Sequence, residues 1–307
     1  MNLANLKERM FRHNIKGKYR FTGRAHGYGK MCILLIGYKQ FLWDDILSRF
    51  RKFIPSDVDV CLVSSGMHLK ELEDIASSHN WSYLSTRRNN VCLAQNIAIS
   101  LFPEAEYIFK MDEDIFLTEG AFDRLTATME RVDRETPYTV GICAPLLNIN
   151  AYGYRRILEL TVKLNDFESR FGEAEMMSGQ KSLIESTPEI AGYMWGEGSP
   201  LPSIDELNAA FADTQTYSIC PVRLSIGFMV MKRSFWEFIG GFPVVFGNGM
   251  GLDETVLIGA CSAFSHVVAV AENSVAGHFA YGGAQGKYMK DYYLSHRDRF
   301  ALPKDSK

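Results

Sequence analysis

The sequence predicts an α/β fold with a mostly parallel sheet and helices on both faces. Two observations carry this. Short apolar runs alternate with amphipathic helical stretches over the first hundred residues, and small or acidic residues follow the strand-like runs directly. Ile33–Ile36 is the first such run. Trp43, Ile46, Leu47, Phe50, Phe53 and Ile54 then recur at helical spacing. Val60–Val63 reads as a second strand, closed by Ser64-Ser65-Gly66. Leu69, Leu72, Ile75 and Ala76 mark the next helix, and Trp81–Leu84 a third strand. Leu93, Ile97 and Leu101 line a helix that ends before Pro103, and Tyr107–Met111 is a fourth strand. The pattern weakens from Asn148 to about Thr216. That stretch holds Gly, Pro, Ser and the aromatics Tyr152, Tyr154, Tyr193 and Trp195, and it reads as an insertion over the binding face. Order resumes with a strand at Phe228–Met231, a helix at Phe235–Ile239, a helix face through Val256, Leu257, Ala260, Cys261 and Phe264, and a strand at Val267–Ala271.

Composition narrows the function. A formal net charge of -3 argues against a nucleic-acid binder. The charge is uneven, since residues 1–30 hold eight basic side chains against the single acid Glu8. With Leu3, Leu6, Met10 and Ile15 near helical spacing, this basic arm suits an anionic membrane surface as well as a solvated terminus. None of the six cysteines forms a CxxC pair, and no apolar run approaches the length of a membrane-spanning helix. The expectation is a reduced, cytoplasmic protein, peripheral at most at the inner membrane face.

Ligands of parallel sheets bind at the carboxyl ends of the strands. That rule points to Ser64–Gly66 and to Asp112-Glu113-Asp114. In extended backbone Asp112 and Asp114 share a side while Glu113 points away. Two such carboxylates suit a divalent cation, and a cation can neutralise a diphosphate leaving group. An acidic turn capping the next helix explains the same residues.

The order continues with Gly240-Gly241-Phe242, then Gly249-Met250-Gly251-Leu252-Asp253-Glu254 heading a helix, then Gly277-His278-Phe279. As an ordered set these elements resemble family-2-type glycosyltransferases of the GT-A, Rossmann-like fold, over roughly Met31 to Tyr281. Asn96 in Ala94-Gln95-Asn96 matches the family's Ala-Arg-Asn helix, with Gln95 in place of arginine. The resemblance implies Asp112, Asp114 and His278 as ligands of Mn²⁺ or Mg²⁺. It implies Asp253 or Glu254 as general base, and Ser64, Ser65, Asn96, Asp112 and Glu113 as nucleotide contacts. Ser64-Ser65-Gly66 departs from the family's acid-rich turn, which leaves the base preference open.

The implied activity is metal-dependent transfer from a nucleotide-sugar, expected to be a UDP-sugar, to the hydroxyl of a glycan or glycolipid acceptor in cell-surface polysaccharide synthesis. The acidic pair favours inversion. A retaining transferase and a catalytically silent carbohydrate-binding homologue are the alternatives. The implied division is an arm at 1–30, a transferase domain at 31–285 and a tail at 286–307. The domain would comprise a nucleotide half, 31–147, and an acceptor half, 148–285.

Overall fold

The computed structural model describes residues 13–177, 182–280 and 285–303. Its strands are β1 (Tyr19–Thr22), β2 (Lys30–Leu35), β3 (Asp59–Ser65), β4 (Ser82–Thr86), β5 (Tyr107–Asp112), β6 (Ile115–Phe116), β7 (Thr139–Leu147), β8 (Tyr217–Ile219), β9 (Phe228–Lys232) and β10 (His266–His278). The chain forms two compact units, each assembled from separate stretches. The first is Met1–Gln40, Pro55–Glu113 and Phe228–Val267; the second is Phe41–Ile54, Asp114–Gly227 and Val268–Lys307.

The first unit carries the sheet order β1-β4-β3-β2-β5-β9. Strands β4, β3, β2 and β5 run parallel; Cys32 of β2 stands opposite Val60 on one side and Phe109 on the other. The expected mostly parallel sheet is present. Strands β1 and β9 close it in antiparallel sense, Tyr19 against Thr86 and Phe109 against Val230. Met31–Leu34 are fully buried, as the near-continuous apolar run of a parallel strand requires. The helix Val91–Ser100 opens on Asn90, whose side chain accepts from the Leu93 amide.

The arm expected over 1–30 is corrected from residue 13 onward; residues 1–12 lie outside the described ones, and the amphipathic reading of Leu3, Leu6 and Met10 with them. Asn14 is buried, donating to the Gly240 carbonyl and accepting from the Val244 amide. Tyr19–Thr22 is an edge strand. The buried Asp59 carboxylate accepts from the backbone amides of His26, Gly27 and Tyr28. Of the basic side chains of this stretch, Arg20 sits on the short edge strand, where charge blocks pairing with another chain.

In the second unit β10 lies between β7 and β6, with His278 opposite Ile115 and Gly277 opposite Phe116. Its earlier part also pairs with β8, Ala269 facing Ile219. The stretch after β7 is not a loose insertion. It holds the helices Gly153–Leu160, Leu164–Phe171, Leu183–Ser186, Pro188–Met194 and Ile204–Phe211. The last opens with a capping box between Ser203 and Glu206. Its aromatics Tyr152, Tyr154, Tyr193 and Trp195 are all buried. Phe167 packs its ring on Tyr154 and Tyr193 at centroid distances of 5.7 and 5.6 Å. The fully buried Arg49 of the helix Trp43–Phe53 forms a two-pronged pair with Asp205 and donates to the carbonyls of Leu117, Phe300 and Ala301. The tail expected from 286 contains most of a helix, Gln285–Ser295, and the buried Phe300.

Candidate functional site

In the first unit the acidic end of β5 is organised by a lysine. Lys110 points the same way as Asp112, two residues on, and donates to its Oδ2 at 2.7 Å. Its side chain is only 4% exposed. Burial opposes its charge, yet Asp112, Asp253 and Glu254 overcome this and hold its pKa above the ordinary lysine value. One buried ammonium thus pairs with the first aspartate of the triplet within the field of the acidic pair. Sequence reasoning passed over Lys110. The available signal was a lone charge inside an otherwise apolar parallel strand, which demands a partner.

Asp253 and Glu254 open the helix Leu252–Ala263, after Gly251 at φ +75°. Asp253 is buried and accepts from Gln95 Nε2 at 2.9 Å; Glu254 is partly exposed. The two side chains diverge as adjacent helical positions must. Gln95 Oε1 is buried without a hydrogen-bond partner.

Three residues expected to contact nucleotide have other work. Asn96 uses its whole capacity inside the fold. Its Nδ2 donates to the carbonyls of Asn14 and Phe242, and its Oδ1 accepts from Trp236 Nε1 and the Phe242 amide. It braces the Gly240-Gly241-Phe242 turn. Glu113 is buried and receives the amides of Gly37 and Tyr38, both at 2.9 Å; it fixes the turn after β2. Ser64 is fully buried, donating to the Met67 carbonyl and sharing a hydrogen bond with the Tyr83 hydroxyl. Ser65 lies at the end of β3, where its Oγ accepts from the Asn90 amide.

In the second unit β6 and β10 bring Asp114 and His278 together. Their Oδ2 and Nε2 are 3.9 Å apart, and the side chains are 6% and 15% exposed. His278 Nδ1 donates to the Ile149 carbonyl at 2.6 Å, while the His278 amide donates to Asn148 Oδ1. The bond from Nδ1 to Ile149 orients the ring so that Nε2 faces the carboxylate. The separation is too long for a hydrogen bond. Two ligands each about 2.1 Å from one octahedral ion stand about 3.0 Å apart at adjacent corners and about 4.2 Å apart at opposite ones, so the pair would close by a small side-chain shift to share a cation. Among the described residues no group of three or more His, Cys, Asp or Glu side chains is placed to hold a metal. Of the expected ligands, Asp114 and His278 face each other in this unit, and Asp112 of the first unit is paired with the Lys110 ammonium.

No family model and no curated protein matches the chain. Solved structures give distant likenesses. A mannosyltransferase from Pyrobaculum calidifontis, in complex with GDP-Man and Mn²⁺, is 14% identical with a TM-score of 0.48, over 97% of this chain and 70% of that one. GalNAc-T7 with UDP, GalNAc and Mn²⁺ is 12% identical with a TM-score of 0.46, over 91% of this chain and 52% of that one. Glucosyl-3-phosphoglycerate synthase from Mycobacterium tuberculosis, with Mn²⁺, UDP and glucosyl-3-phosphoglycerate, is 10% identical with a TM-score of 0.43, over 92% and 83%. At this distance they carry no activity over to the chain.

Proposed function

We propose that the chain is a divalent-cation-dependent glycosyltransferase that moves a sugar from a nucleotide-sugar to an acceptor hydroxyl. The observation that carries this is the Asp114–His278 pair, with its ring oriented by Ile149 and its 3.9 Å gap. An oxygen and an imidazole nitrogen suit Mn²⁺, with the remaining positions left for phosphate oxygens and water. When bound, the cation neutralises charge on the departing diphosphate. The acidic pair supplies the other chemistry. Asp253 takes the proton of the acceptor hydroxyl, whose oxygen bonds to the anomeric carbon as the bond to the diphosphate oxygen breaks, with inversion. Gln95 holds the Asp253 carboxylate in place. A UDP-sugar donor and a glycan or glycolipid acceptor of a cell-surface pathway complete the proposal. Among the described residues no helix is long and apolar enough to cross a membrane.

The test is release of nucleoside diphosphate from UDP- and GDP-sugars by purified protein. Turnover should require Mn²⁺ or Mg²⁺, and Asp114→Ala and His278→Ala should each lower it by orders of magnitude without loss of the folded state. Full activity in excess EDTA would remove the cation from the mechanism. No release with any donor would leave a carbohydrate-binding homologue.

A further inference from the structure

A cavity lies in the first unit beside the turn that follows β3, and its lining includes Gly66 of that turn. Strand β1 and the segments following β3 and β4 enclose this cavity of about 360 Å³. Its walls include Lys18, Arg20 and Arg87, with His68, Gly66 and Ser85. Lys18, Arg20 and Arg87 are exposed, and none forms an ion pair with a described residue. His68 Nε2 stands 3.8 Å from Glu73 Oε2. Three like charges around one cavity repel, and a chain of net charge -3 offers them no compensation there. The wall is built rather than incidental. Gly66 stands at φ +80°, and a Cβ on it would meet Asn89 Cβ at 2.4 Å, so the loop closes tightly beside the basic residues. Arg87 is anchored through its backbone amide to the Lys18 carbonyl, and His68 Nδ1 pairs with Ser85 Oγ. The cavity is large enough for a small organic molecule rather than an ion alone.

We propose that this cavity binds a phosphoryl group carried on a small organic body, held by the guanidinium forks of Arg20 and Arg87 and the ammonium of Lys18. The proposal is independent of the transfer reading, because it concerns binding and involves none of the acids assigned to transfer. A soluble phosphate ester and a phosphomonoester lipid headgroup present the same chemistry, and the experiment separates them.

The full chain is titrated calorimetrically with glucose 1-phosphate in EDTA, and is sedimented with vesicles containing phosphatidic acid. The expected result is binding in one arm at least, weakening as salt rises. Arg20→Ala and Arg87→Ala should each weaken it about tenfold with an unchanged melting temperature. Binding should persist in Asp114→Ala, which separates this cavity from the donor site. Calorimetric binding assigns a soluble ester, and sedimentation alone assigns a lipid headgroup. Unaltered affinity in both arginine variants, or no binding in either arm at millimolar probe, overturns the proposal.

Discussion

Asn96 shows how a motif residue can carry a structural load in the fold. The sequence located it on a helix ahead of the acidic triplet, where a family resemblance implied nucleotide contact. Its amide makes four hydrogen bonds within the fold. Asn96→Ala should therefore lower unfolding free energy by about 2–4 kcal/mol, since it leaves buried partners unpaired, while the KM for donor in the folded protein stays near wild type. A large rise in KM at unchanged stability would support the nucleotide role. Lys110 is the converse case: spacing rules ranked the acids and skipped the cation beside them. The base assignment also belongs at this scale. Asp253→Asn should lose most of the transfer rate and still bind nucleoside diphosphate, whereas Glu254→Gln, at a partly exposed position, should lose little. The reverse ranking moves the base to Glu254, and near-normal transfer by both revives a retaining mechanism.

At the scale of elements, the parallel strands were legible because burial on both faces writes an uninterrupted apolar run into the sequence, as in Met31–Leu34. Strand β1 was not, because an edge strand advertises charge, and Lys18 and Arg20 dominated the reading. The short helices after β7 were hidden for another reason. Each is too short to repeat an apolar face more than about twice, and their aromatics pack on one another instead of marking a period. Asp59→Ala tests whether residues 24–30 belong to the fold. The carboxylate holds three consecutive amides, and its loss should cost about 2–3 kcal/mol in denaturant unfolding. A loss below about 0.5 kcal/mol, the usual surface value, would return the segment to a dispensable arm.

For the whole molecule, the cysteines give a property that separates the folded from the unfolded chain. All six are free and buried. Burial of Cys32, Cys61 and Cys143 was legible because they sit within apolar strand runs. Burial pushes the Cys220 thiol up to about 11. Burial, reinforced by the charge of Asp253, pushes Cys92 up to about 12. An unfolded thiol ionises near 8.5. Below that value both states hold the proton and these thiols do not bias folding. Above it the unfolded chain releases protons that the folded chain keeps, so stability falls with rising pH until the folded values are reached. Lys110 acts in the same direction at higher pH, because its raised folded value keeps a proton that the unfolded lysine gives up near 10.4. The urea midpoint should accordingly be level from pH 7 to 8 and decline steadily from pH 8.5 toward 10.5. Each buried thiol contributes up to about 1.4 kcal/mol per pH unit over that window. A Cys220→Ala variant should show a shallower decline than wild type. A thiol reagent should titrate six groups in denaturant and almost none in the native protein at pH 8. A flat midpoint across this window, or rapid native labelling of several thiols, would show that the cysteines are not enclosed as the fold places them.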